Sequence, residues 1–283
     1  MKALVTLVRR EFWEHRTIVI GTAVICVLYL ALCLLAGSQF SARPAYFDST
    51  QVGGGPATPV FFLGISAIFA MLLYGLMGVA VFAYFCDCLF TERKDRSILF
   101  WKSMPVSDSM TVLSKLLVGL VVLPLLALAF AMVTNLLAHV IFLVTLDREP
   151  VTWGVPQWLH LQALLLMDVL LLALWFAPVA AYQMLISAIV PRAPMLWTVL
   201  PPLVLVLGQR LFFNSWSIAW FIGDRLGLVV RKLPDNDEGG VSGLLGRASL
   251  IDLLKLPSLW VGLAVAAALL YGTIRIRRRR DDT

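Results

Sequence analysis

Six long apolar runs constrain this chain more than any other feature of its sequence. Five are long enough to cross a bilayer as a helix, and the fifth in order is shorter and contains Pro201-Pro202. In lipid, backbone polar groups must be satisfied within each segment, and these runs lack the alternating polarity of barrel strands. The sequence therefore predicts an all-α polytopic membrane protein, a single transmembrane domain over residues 1–283. The predicted spans are Thr17–Gly37, Val60–Phe85, Leu116–Leu146, Leu161–Val190, Ala193–Gly208 and Leu256–Ile274.

The composition and the placement of charge support this fold. Hydrophobic residues make up 60% of the chain, charged residues 14%, and the mean hydropathy is +0.88, all outside the range of a soluble domain. The basic residues lie mainly before the first span, between spans two and three, and in the tail Arg275–Arg280. The positive-inside rule then predicts a multi-pass protein with both termini in the cytoplasm. Topology explains the net charge of +6, so we expect contact with membrane lipid and none with nucleic acid.

Two segments outside the spans are also predicted to be helical. Residues 1–16 are predicted to form an interfacial helix, apolar on one face and basic on the other. Residues 210–255 lie on the outer side, where we expect two short helices that dip partly into the outer leaflet, Leu211–Ile222 and Leu244–Lys255. A flexible acidic and glycine-rich turn, Asp235–Gly243, separates them. An aromatic belt at the interface is a compatible alternative for the first of the two.

The segment Thr91–Ser109, between spans two and three, is richer in charge and in aromatic residues than a simple turn requires. A charge cluster is followed at once by an apolar patch that is costly to leave in water. This combination is typical of a surface that docks a soluble partner, with buried aromatic anchors for affinity and charges for register. The charges include Glu92, Arg93 and Arg96, and the patch includes Ile98, Phe100 and Trp101.

Motifs that carry chemistry are scarce. The sequence holds no G-x-x-x-x-G-K-[ST] phosphate loop, no H-E-x-x-H or G-x-S-x-G motif and no paired carboxylates. The four cysteines lack the spacing of a zinc site. We therefore expect no catalytic residues, no metal site and no cofactor in this chain, which is predicted not to be an enzyme.

The predicted spans contain a small group of polar residues, Asn135, His139 and Asp168. In an antiparallel pair of spans three and four, His139 and Asp168 fall at a similar depth. An ionisable residue inside a span is a functional hypothesis by default. Two interpretations stay open: an intramembrane pair that neutralises itself and holds two helices together, or part of a proton path. The spans contain no further carboxylate to continue such a path.

Taken together, these features resemble the transmembrane subunit of an ABC-2 type (type V) ABC exporter. The closest part runs from Glu92-Arg93-Lys94-Asp95-Arg96-Ser97 to Met104-Pro105-Val106-Ser107 and then to Lys115. It is similar to the family's E-R-x-x-G/S…L-P-[VI]-S…K pattern, with Met104 where leucine is commoner. The resemblance implies a bacterial inner-membrane permease in which residues 91–103 form a coupling helix seated in a cleft of the ATPase subunit. The implied coupling residues are Glu92, Arg93, Arg96, Ile98, Phe100, Trp101, Met104 and Pro105.

The resemblance also implies partners. Many members of the family carry their own ATPase domain, and this chain has none, so a separate ATPase subunit would hold ATP and magnesium. A second permease, either an identical copy or a relative, would supply the other half of the translocation path.

Two alternatives from other classes remain. A polytopic membrane enzyme or assembly factor could use the same loop to bind another soluble protein, and it should carry a polar catalytic cluster at one membrane face. A proton-coupled secondary transporter would rely on His139 and Asp168.

Overall fold

The computed structural model describes residues 2–42, 57–95, 107–145, 155–225 and 256–279, and nearly all of them are helical. These ranges contain no β-strand. The all-α prediction is thus confirmed, and six helical segments within these ranges are long and apolar enough to cross a membrane.

The described helices, in chain order, are α1 Lys2–Glu14, α2 Arg16–Ala42, α3 Ala57–Asp87, α4 Phe90–Lys94, α5 Asp108–Leu117, a π-helical turn Val118–Val122, α6 Leu123–Thr145, α7 Val155–Ile189, α8 Pro194–Phe213, α9 Ser217–Arg225 and α10 Pro257–Arg279. Six segments correspond to the predicted spans: α2, α3, the continuous segment from α5 to α6, α7, α8 and α10.

The third span begins earlier than predicted, at Asp108 instead of Leu116. Its first turn is capped locally, because the Ser107 hydroxyl oxygen accepts a hydrogen bond from the Met110 backbone N–H at 3.3 Å. The Asp108 carboxylate in that first turn also interacts favourably with the positive end of the helix dipole. These polar residues, which resemble a loop in the sequence, therefore extend the helix by two turns.

The fifth span is longer than predicted. Helix α8 passes through Pro201-Pro202 and ends at Phe213, so it includes the start of the segment Leu211–Ile222 that was expected to dip into the outer leaflet. After a short non-helical link at residues 214–216, the rest of that segment lies in the short helix α9. The predicted helix Leu244–Lys255 and the turn before it lie outside the described residues.

The core forms where the spans pack on one another. Helix α7 packs most extensively on α10, α2 packs on α6, and α3 lies against both α6 and α7. Small side chains occupy the contacts and let the helices approach closely, as is usual in membranes. Fully buried alanines include Ala127, Ala131, Ala180 and Ala181.

One end of the bundle collects the charged residues. Arg277, in the last turn of α10, reaches Glu92 of α4 and Asp108 in the first turn of α5. Helix α1 packs on α5 at this same end. We call it the charged end, and the candidate site lies there.

Candidate functional site

Charged side chains from four helices meet in a mostly buried group at the charged end. We call this group the ion cluster. It comprises Arg10, Glu11 and Glu14 of α1, Glu92 of α4, Asp108 and Lys115 of α5, and Arg277 of α10.

Lys115 lies between two carboxylates from different helices. Its Nζ is 2.7 Å from Glu11 Oε1 and 3.2 Å from Glu92 Oε1. The Lys115 side chain is only 2% exposed, and Glu11 and Glu92 are both buried. A buried cation of this kind is tolerated only where its partners are close and well placed. Lys115 therefore ties α5 to both α1 and α4.

Glu92 joins the other half of the cluster. Its Oε1 also accepts from Arg10 Nη2 at 3.2 Å, and its Oε2 accepts from Arg277 Nη1 at 2.8 Å. Arg277 then reaches Asp108 Oδ1 through Nε at 3.1 Å. One carboxylate of α4 thus receives cations from α1, α5 and α10.

The cluster nearly balances its own charge. Among the described residues of the cluster, four carboxylates share three cations. One of these carboxylates, Glu14, is 45% exposed to solvent and pairs with Arg10 at 2.6 Å. The buried carboxylates therefore have their counter-charges within this chain. Neither Glu11 nor Glu92 needs a cation from another protein to be stable in its position.

Tyr84, near the end of α3, attaches a further span to the cluster. Its hydroxyl lies 3.1 Å from Glu11 Oε2 and 3.3 Å from the Lys115 carbonyl oxygen. The ring of His15 meets the Tyr84 ring edge-on, with centroids 4.9 Å apart. The link between α1 and α2 therefore packs directly on the side chain that supports Glu11.

The pKa values of His15 and Arg10 reflect this environment. Burial lowers the pKa of His15, which favours the neutral imidazole against Tyr84 although Glu11 lies nearby. Burial alone would also lower the pKa of Arg10, but the hydrogen bond and charge of Glu14, together with Glu92, outweigh it and raise that pKa. Arg10 is therefore held as a cation.

Arg93 and Ser187 attach α4 to the end of α7. Arg93 Nη2 donates to the carbonyl oxygens of Ser187 at 2.6 Å and of Val190 at 2.7 Å. In return, the buried Ser187 hydroxyl oxygen accepts from the backbone N–H of Leu89 at 3.2 Å and of Phe90 at 3.0 Å. A cation at a helix C-terminus and an acceptor at a helix N-terminus are both favourable. Polar groups at the start of α4 and at the end of α7 thus satisfy each other's hydrogen bonds.

Of the eight residues that the family resemblance implies for coupling, the structure describes two. Glu92 and Arg93 both turn into this chain, toward the ion cluster and toward α7. The exposed residues on the described start of the loop are Thr91, Lys94 and Asp95. The other six, Arg96, Ile98, Phe100, Trp101, Met104 and Pro105, lie outside the described residues.

The intramembrane pair is described in part. His139 is half-buried on α6, and the side chain of Asp168 on α7 lies outside the described residues. The pairing of His139 with Asp168 therefore stays a prediction. Asn135, one turn before His139, is fully buried in the bundle.

Several members of the site were not assigned to it from the sequence. Lys115 appeared only as the last residue of a family-like pattern, and Arg277 only as part of a basic tail. For Glu11 the sequence contains one weak indication of burial: it follows Leu7 by one helical turn, on a helix face that is buried in the structure. The signal for a buried pair is an ionisable residue on an otherwise apolar helix face, and it does not identify the partner.

No protein-family model matches the chain, and a search of curated proteins found no match.

Proposed function

We propose that this chain is the permease subunit of an ATP-driven exporter of the ABC-2 type. In this proposal it forms half of a translocation path in the cell's inner membrane, with both termini in the cytoplasm. A second permease, identical or related, forms the other half. A separate ATPase subunit, which binds ATP and magnesium, docks on residues 91–103.

The contacts of helix α4 with the rest of the chain are the observation that best supports the proposal. This five-residue helix begins the loop between spans two and three, and its contacts reach four other helices. Glu92 joins it to α1, α5 and α10, and Arg93 with Ser187 joins it to the end of α7. A loop that only reversed the chain direction would need none of these contacts. A rigid base of this kind transmits a displacement of the loop to the ends of several spans.

Different residues of the loop between spans two and three have different roles in this proposal. Glu92 and Arg93 hold the base of the loop, because their charges are used inside the chain. Contact with the ATPase then falls to residues beyond them, above all to the apolar patch Ile98–Trp101. An aromatic anchor buried in a partner's cleft is the usual source of affinity at such a contact. Exposed Lys94 and Asp95 are available to set register.

Co-purification tests the proposal most directly. An affinity-tagged chain isolated from native membranes in mild detergent should bring down a subunit that carries a G-x-x-x-x-G-K-[ST] motif and hydrolyses ATP. We expect Trp101→Ala to insert into the membrane normally and to lose that subunit. Trp260→Ala is the matched control, since Trp260 is 59% exposed on α10 and lies about 25 Å along that helix from Arg277.

The alternatives predict other outcomes. A membrane enzyme or assembly factor would co-purify with a soluble protein that has no ATPase motif. A proton-coupled transporter would need no soluble subunit and would lose its activity when the proton gradient is collapsed. If Trp101→Ala retains a full complement of ATPase subunit, residues 91–103 are not the docking segment.

A further inference from the structure

The third span is interrupted by the π-helical turn Val118–Val122, which separates α5 from α6. At its end the Leu123 backbone N–H donates to the Val118 carbonyl oxygen, five residues back instead of four. A π-helical turn is rare, mostly occurs as a single turn within an α-helix, and is a common place for a helix to bend.

The two parts of this span pack on different partners. Helix α5 packs on α1 and α10, and it carries Lys115 and Asp108 of the ion cluster. Helix α6 packs on α2, α3 and α7. The π-helical turn therefore lies where the neighbours of the third span change, from α1 and α10 on one side to α2, α3 and α7 on the other.

Gly119 in this turn is required by its neighbour Phe85. A Cβ atom at position 119 would lie 2.8 Å from Phe85 Cε1, 2.6 Å from Cε2, and closer still to Cζ. These distances are shorter than van der Waals contact, and Phe85 is fully buried among close-packed neighbours. The aromatic ring thus rests directly on the backbone of the turn.

We infer that the π-helical turn is the hinge of the third span, with Gly119 against the Phe85 ring as its pivot. About this pivot α5, which carries Lys115 and Asp108, changes its angle to α6. The inference rests on the proposed function, because it supplies the joint through which a displaced loop would reorient a span. Hinges of this kind act where packed elements have two arrangements.

The first arm of the test measures packing in the purified full-length chain without any partner. We expect Gly119→Ala to lower the melting temperature in the native background and to cost much less in a Phe85→Leu background, because leucine lacks the three ring atoms that approach Gly119. Gly78→Ala is the matched control, since a Cβ atom there meets nothing within 4 Å. Equal losses from Gly119→Ala in both backgrounds would overturn the pivot.

The second arm measures motion by electron spin resonance in lipid nanodiscs, with the four buried cysteines replaced by alanine. One pair of spin labels, at Leu113 of α5 and Val133 of α6, spans the turn over about 30 Å. The control pair, at Ile20 and Leu34, lies within α2. All four positions are exposed.

Glu92→Gln weakens the ion cluster, so we expect it to shift or broaden the 113–133 distance distribution and to leave the 20–34 distribution unchanged. An unchanged 113–133 distribution would mean that the span is stiff and would overturn the hinge. This result is distinct from failure of the proposed function, which would appear as the absence of an ATPase subunit in the co-purification.

Discussion

Replacing Lys115 by methionine is the most informative perturbation of the ion cluster. Methionine keeps the length and apolar stem of the side chain but removes the charge. Glu92 would keep its contacts with Arg10 and Arg277. Glu11 would lose its cation at 2.7 Å and retain the Tyr84 hydroxyl. Lys115→Met would therefore leave mainly Glu11 without a counter-charge, and this carboxylate is buried at the junction of α1 with α5.

The expected loss of unfolding free energy follows from the distances of Lys115 Nζ to Glu11 and to Glu92. At an effective dielectric constant of about 20, unit charges at the two observed separations attract by about 6 and about 5 kcal/mol. Burying the ammonium costs several kcal/mol and offsets part of this attraction. Removal of one partner from a buried ion pair typically costs about 3–5 kcal/mol. For a chain of 283 residues that corresponds to a fall in melting temperature of roughly 5–8 °C.

The assay is thermal unfolding of the purified chain in detergent, with two comparisons. Lys94→Met is the matched control, because Lys94 is exposed on α4, and it should change the melting temperature little. The double change Lys115→Met with Glu11→Gln should recover much of the loss, since it removes both charges and keeps an acceptor for Tyr84. If Lys115→Met melts like Lys94→Met, the buried cluster does not hold the charged end together.

Three further predictions use the same structure. Arg277→Gln should lower the melting temperature because it breaks the contacts of Arg277 with Glu92 and Asp108, whereas Arg278→Gln, at an exposed position on the next residue, should not; equal effects would contradict the inward orientation of Arg277. Ser187→Ala should cost about 1–2 kcal/mol in unfolding free energy, because two backbone N–H groups at the start of α4 lose their acceptor, and a denaturant titration that shows no loss would refute this. A cysteine at position 212, on the last turn of α8, should resist a membrane-impermeant thiol reagent that readily labels cysteines placed in residues 235–243, and uniform labelling would show that both are solvated.

The sequence by itself determined the spans. Long apolar runs leave the backbone no alternative to a helix in lipid, so the all-α class and the six candidate spans among the described residues follow from local composition. The start of the third span and the end of the fifth differ from the prediction, because capping by Ser107 and passage through Pro201-Pro202 depend on local geometry that hydropathy does not report.

Only the tertiary structure decided which charges meet. Glu11 and Lys115 are 104 positions apart, and Glu92 and Arg277 are 185 apart. In the sequence, Arg277 is indistinguishable from its neighbour Arg278, and Glu92 is one charge in a run of five. A buried charge is stable only beside its partner, and the partner is chosen by how the helices pack. The packing of α1, α4, α5 and α10, therefore, turns charges that resemble a docking surface into an internal junction.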